Sequence, residues 1–120
     1  MEQFHLGDME QKFANLIWEH EPIRSRELQQ LCETEFQWKK STMYTMLKRL
    51  CDRKIFINQN GQVTSLMSRE EFLAAQGELF IEKNFNGLLP NFLTAFVKRK
   101  KLSKKEIDEI RKIIDEYEEE

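Results

Sequence analysis

The sequence predicts a mainly α-helical chain in two parts: three helices with a short β hairpin, then three more helices. Three observations carry this. Apolar residues recur at helical spacing over most of the 120 residues. After Lys54 the pattern changes to the β-rich run Ile55-Phe56-Ile57, followed by Asn60-Gly61, a two-residue hairpin turn whose positions both tolerate positive φ. Beyond it, Ser68 with Glu71 and Ser103 with Glu106 are capping boxes, each of which opens a helix.

The first helix is expected over Leu6–Glu19, with Gly7 as N-cap, Glu10 at the third helical position, and Leu6, Met9, Phe13, Leu16 and Ile17 inward. Trp18, before the turn at Glu21-Pro22, reads as core or as a lid over it. A second helix is expected over Ile23–Glu33, with Leu28, Leu31 and Cys32 inward and Arg24 as a poor N-cap. The third lies within Trp38–Lys54, with 41–52 as its working part. Ile55–Ile57 and Val63–Met67 then pair across Asn60-Gly61. Three helices followed by a two- or three-stranded β wing is the order of a winged helix, assigned to residues 1–68.

Residues 69–120 form the second part. A helix runs from the Ser68 cap to about Lys83 with Phe72, Leu73, Leu79 and Phe80 on its apolar side, and Asn86-Gly87 breaks it. Leu88–Lys100 follows, with Pro90 tolerated in its first turn. The last helix carries Ile107, Ile110, Ile114 and Tyr117 at heptad-like spacing. About fifty residues in three short helices cannot bury this much Phe, Leu and Ile alone. A second copy supplies the missing surface, through Phe80, Leu89, Leu93, Phe96, Ile107, Ile110, Ile114 and Tyr117; the alternative is that the module folds back on its own wing domain.

Composition excludes several classes. Net charge is −2, so no global field draws the chain to nucleic acid. Residues 1–68 hold nine basic and nine acidic side chains, and 69–120 hold ten and twelve. No signal peptide and no bilayer-length apolar run is visible, which points to a cytoplasmic protein without membrane insertion. Cys32 and Cys51 stand nineteen apart beside two unrelated His, so neither a metal nor a cofactor is expected. Nucleophile, base and orienter are not suggested together, and no phosphate loop is present, so the chain does not read as an enzyme.

The positive signal is the third helix. In Trp38–Lys54, six of seventeen residues are Lys or Arg and one is acidic. Met43, Met46, Leu47 and Leu50 make one stripe; Ser41, Tyr44, Thr45, Lys48 and Arg49 occupy the other side. An apolar stripe backed by hydroxyls and cations suits a helix that docks on a core, reads base edges and meets phosphates; a solvated basic face is the plain alternative. Lys98–Lys105 is a second basic cluster, read as a solvated loop with cations near a helix C-terminus; a phosphate contact is the alternative.

These residues resemble a known family. ME-x-x-FANLIWE at 9–19, SREL at 25–28, WKKSTMYTMLKRL at 38–50, FNGL at 85–88 and LSKKEI at 102–107 are similar, in order, to motifs of the penicillinase-repressor family (BlaI/MecI/CopY). The resemblance implies a homodimeric winged-helix transcriptional repressor on a palindromic double-stranded operator. It implies that Ser41, Thr42, Tyr44 and Thr45 read bases and that Lys39, Lys40, Lys48 and Arg49 are its basic positions, with an ion pair as the alternative role for Arg49. It also implies release by a membrane sensor protease, at the bond matching Ala95–Phe96, although relatives cut this way carry Asn where Ala95 stands. No Cys follows Cys51, which speaks against the copper-sensing type. Two further departures matter. Lys54 stands where a Gly would permit positive φ, and the wing, Asn58 to Leu66, is neutral, implying fewer phosphate contacts. The neutral wing also motivates a rival reading, a winged-helix protein-interaction module that has lost DNA binding.

Overall fold

A computed structural model describes residues 4–117. The chain divides into two compact units, Met1–Leu79 and Phe80–Glu120.

The first unit holds α1 (Asp8–His20), β1 (Ile23–Arg24), α2 (Ser25–Phe36), α3 (Lys40–Asp52), β2 (Phe56–Gln59), β3 (Gln62–Ser65) and the first turns of α4 (Arg69–Phe85). α1 starts where its cap is expected: the Glu10 carboxylate accepts the Gly7 N–H at 3.0 Å. Leu6 lies outside the helix and Met9 is exposed, so the buried stripe is Phe13, Ala14 and Ile17. α2 begins two residues later than its periodicity suggests, because Ile23 and Arg24 are extended and pair with Val63 and Gln62 of β3. Arg24 provides no side-chain cap.

The sheet is antiparallel in the order β1-β3-β2. Gln59 faces Gln62 across Asn60 (φ 52°) and Gly61 (φ 84°), the two positive values a tight hairpin turn needs. The return strand stops at Ser65 rather than reaching Met67. Glu21 anchors it by accepting the Ser65 N–H at 2.7 Å and hydroxyl at 2.9 Å.

The core collects Phe13 and Ile17 from α1, Leu28 and Cys32 from α2, Met43, Leu47 and Leu50 from α3, and Ile55, Phe56 and Val63 from the wing. Trp18 closes one side, its ring 5.1 Å from Phe56 and 5.5 Å from Phe72, its indole N–H donating to the Met67 carbonyl at 3.1 Å. Phe72, expected on the apolar side of the second module, is fully buried here instead. Arg69 reaches Asn15 and Gln76 reaches the Phe4 carbonyl, so the start of α4 is tied to this unit.

In the second unit the last turns of α4 are followed by α5 (Leu89–Arg99) and α6 (Lys104–Tyr117). Both capping boxes form: the Ser68 and Ser103 N–H groups donate to Glu71 and Glu106, and the serine hydroxyls accept the N–H groups of the same two residues. The Phe92 ring lies 6.0 Å from Phe80, 5.5 Å from Phe85 and 5.7 Å from Phe96. Yet no residue of α5 or of the described part of α6 is buried.

Candidate nucleic-acid interface

The third helix turns its apolar stripe fully inward. Met43, Leu47 and Leu50 are at most 2 % exposed, and Met46 packs at the edge. A helix so anchored cannot rotate without lifting three core side chains, so its outer face is fixed. That face carries Lys39, Lys40, Ser41, Thr42, Thr45, Lys48 and Arg49, all exposed. Ser41 and Thr42 lie in the first turn, where short polar side chains reach farthest into a groove.

Three expected members differ in detail. Tyr44 is half-buried against the core, and its hydroxyl donates to the Ser25 hydroxyl at 3.2 Å. Arg49 makes no ion pair among the described residues; it lies exposed beside the Met46 sulfur at 3.7 Å. Lys48 pairs with Asp52 at 3.2 Å, but with side chains 78 % and 66 % exposed the pair is screened and leaves Lys48 available. Arg53 is committed elsewhere: it donates to the His5 carbonyl at 2.9 Å and lies 3.7 Å from Glu10.

Ser25 is a residue that sequence reading missed. Its N–H donates to the Gly61 carbonyl at 2.8 Å while its hydroxyl accepts from Tyr44. One serine thus ties the start of α2, the wing turn and α3 together. Its partners are nineteen or more residues away along the chain, and no local pattern announces them.

The end of α3 sets the wing. The Lys54 N–H bonds to the Cys51 carbonyl at 3.0 Å and the Ile55 N–H to the Leu50 carbonyl at 3.1 Å, a Schellman closure with Lys54 in the left-handed region at φ 65°. The positive φ expected at this position is therefore adopted by a residue with a Cβ. Buried Ile55 follows and starts the turn into β2. A cleft of about 380 Å³ separates α3 from β2, lined by Lys48, Cys51, Lys54 and Asn58 among others. Burial pushes the Cys51 thiol above its ordinary value and raises Cys32 to about 12, so neither is a poised nucleophile. Among the described residues no cluster of three or more His, Cys, Asp or Glu could hold a metal.

Of the residues expected to face a second copy, Ile107 and Ile110 are half-buried. Phe80, Leu89, Leu93, Phe96, Ile114 and Tyr117 are exposed, Tyr117 by 74 %. The Ala95–Phe96 bond lies inside α5, and the Phe96 carbonyl accepts the Lys100 N–H at 2.9 Å.

A three-helix unit with a small antiparallel wing, presenting hydroxyls and cations on a locked third helix, is the build of a winged-helix DNA-binding regulator. The sequence profile of the family described as penicillinase repressor matches residues 6–116. The chain belongs to that family, one of transcriptional repressors rather than enzymes. Relatives include a penicillinase repressor of Bacillus licheniformis, 25 % identical over 116 residues, spanning 93 % of this chain and 91 % of that protein. The methicillin resistance regulatory protein MecI of Staphylococcus aureus strain Mu50 is 26 % identical over 116 residues, 92 % of this chain and 94 % of that one. Its counterpart in Mammaliicoccus sciuri is 25 % identical over the same length. No described helix is long and apolar enough to cross a membrane.

Proposed function

We propose that the chain is a homodimeric repressor that places α3 of each copy in successive major grooves of a palindromic operator, with half-sites roughly 34 Å apart. The observation that carries this reading is the polarity of α3: Met43, Leu47 and Leu50 buried on one side, Ser41, Thr42, Thr45 and Lys48 exposed on the other. Thr42 and Thr45 would contact base edges or thymine methyls, while Lys39, Lys40 and Lys48 meet phosphates. Tyr44, bonded to Ser25, orients the helix as well as bordering the groove. The exposed apolar residues of α5 and α6 supply the dimer contact, since so many large apolar side chains left uncovered, Leu89, Leu93, Phe96, Ile114 and Tyr117 among them, favour a protein partner. Domain roles follow: the winged unit reads DNA and the helical unit pairs the copies. Such a repressor works in the cytoplasm beside the chromosome.

Release by a membrane sensor protease cutting Ala95–Phe96 belongs to the same reading. It requires α5 to unwind, because both residues are within the helix. Incubation with a partner protease and mass analysis of the fragments checks it; an intact chain rejects it.

A mobility shift on the chain's own promoter region tests the main proposal. The full chain should shift the duplex at low salt as a dimer by light scattering, and Thr45→Ala with Lys48→Ala should weaken it by about ten-fold or more. Absence of any shift at about 50 mM salt, where electrostatic binding is strongest, would instead favour the protein-interaction reading that the uncharged wing suggests. A lone protomer at micromolar concentration would remove the dimer.

A further inference from the structure

Lys98–Lys105 is a dense run of like charge: six of its eight residues are Lys or Arg and none is acidic. Lys98 and Arg99 close α5, where a helix end favours cations. Lys100, the C-cap of the same helix, shares that reason, but Lys101, Lys104 and Lys105 do not. Lys100 and Lys101 lie in the linker after α5, and Lys104 and Lys105 open α6, at the end where a helix disfavours positive charge. The cap of α6 is built by Ser103 and Glu106 and uses neither lysine. All four are exposed, and no salt bridge among the described residues involves them. Four cations within six successive residues repel one another, and a polyanion relieves that repulsion.

We propose that Lys100, Lys101, Lys104 and Lys105 form a second, sequence-independent phosphate-binding surface that adds duplex DNA contacts to those of α3. This rests on the operator-binding reading above. Charge complementarity favours the duplex: it carries one phosphate charge per roughly 1.7 Å of axis, so a short run of lysines meets several phosphates at once. The wing supplies the second argument. From Asn58 to Ser65 it holds no charged residue, so phosphate contacts that a basic wing would make beside α3 are missing. Lysines on the helical unit restore affinity, while base discrimination stays with α3. In a dimer each copy contributes one such run.

The test uses the full chain and a variant with Lys100→Gln, Lys101→Gln, Lys104→Gln and Lys105→Gln, titrated by fluorescence anisotropy against the operator duplex and a scrambled duplex over a salt series. Both duplexes should bind the variant about tenfold more weakly at roughly 100 mM salt, with a log–log salt slope shallower by about 0.9 for each phosphate that is no longer neutralised. The ratio of operator to scrambled affinity should be unchanged. A second variant with Arg at the four positions should keep the original slope. If the parent chain binds operator and the Gln variant matches it in affinity and slope, the lysines do not touch DNA and this proposal falls alone. If the parent binds neither duplex, the operator-binding reading falls and takes this one with it. Vesicles of phosphatidylserine and phosphatidylcholine separate the other polyanion: binding abolished in the Gln variant, with DNA titrations unchanged, would assign the lysines to a membrane surface and overturn the proposal.

Discussion

Replacing Lys54 by Gly should make the winged unit more stable, although it deletes a side chain. Lys54 holds the left-handed position of the Schellman closure at φ 65°. A side chain with a Cβ costs about 1–2 kcal/mol there. Glycine removes that cost but gives the unfolded chain more freedom, which returns about 0.4–1 kcal/mol. Since the Lys54 N–H bond to Cys51 and the Ile55 N–H bond to Leu50 are backbone bonds, both persist in the variant. The net gain is about 0.5–1 kcal/mol, or a rise of roughly 3–6 °C in the melting midpoint of a domain this size. Scanning calorimetry with a urea titration measures it. Lys54→Ala serves as the control: it removes the same charge while keeping the Cβ, so it should not stabilise. Equal stabilisation by Gly and Ala would mean that charge, not backbone conformation, is the source; a destabilising Gly would refute the conformational argument outright.

Two further outcomes follow from neighbouring features. Tyr44→Phe and Ser25→Ala should each weaken the proposed operator binding a few-fold and lower stability by about 0.5–1.5 kcal/mol; the double variant should cost little more than either single one, whereas fully additive losses would mean the 3.2 Å hydroxyl bond carries no coupling. The Cys32 thiol is raised from 9.0 to about 12 by burial, so folding favours its protonated form. Stability from this group is intact below pH 9 and declines between about 9 and 12, by up to about 1.4 kcal/mol per pH unit. Cys32→Ser should remove that segment of the pH profile, and an aromatic disulfide reagent at about pH 8, below the ordinary thiol range, should label Cys32 only after unfolding.

What could be read from the sequence was local. Gly7 with Glu10, Ser68 with Glu71 and Ser103 with Glu106 each complete their caps within four residues, and each opens a helix as expected. The hairpin at Asn60-Gly61 is equally self-contained. What escaped depended on distant partners. Ile23 looks like the start of a helix because nothing nearby reveals that Val63 will pair with it. Phe72 continues an apolar face that elsewhere stays exposed, yet Trp18 and Phe4 draw it into the first core. The same division holds at the candidate interface. Periodicity alone separates the exposed Ser41, Thr42 and Thr45 from the buried Met43 and Leu47. It cannot show that Tyr44 leans back on Ser25, since period describes a face and not the neighbour across from it.

The cluster of four phenylalanine rings centred on Phe92 has a consequence for how two copies would meet. These rings brace the elbow between the end of α4 and α5 within a single chain. In the proposed dimer a protomer would therefore arrive at its partner with that bend already shaped, and little order would remain to be imposed on it during association. Encounter would resemble the closing of two pre-cut halves more than the mutual folding of loose helices.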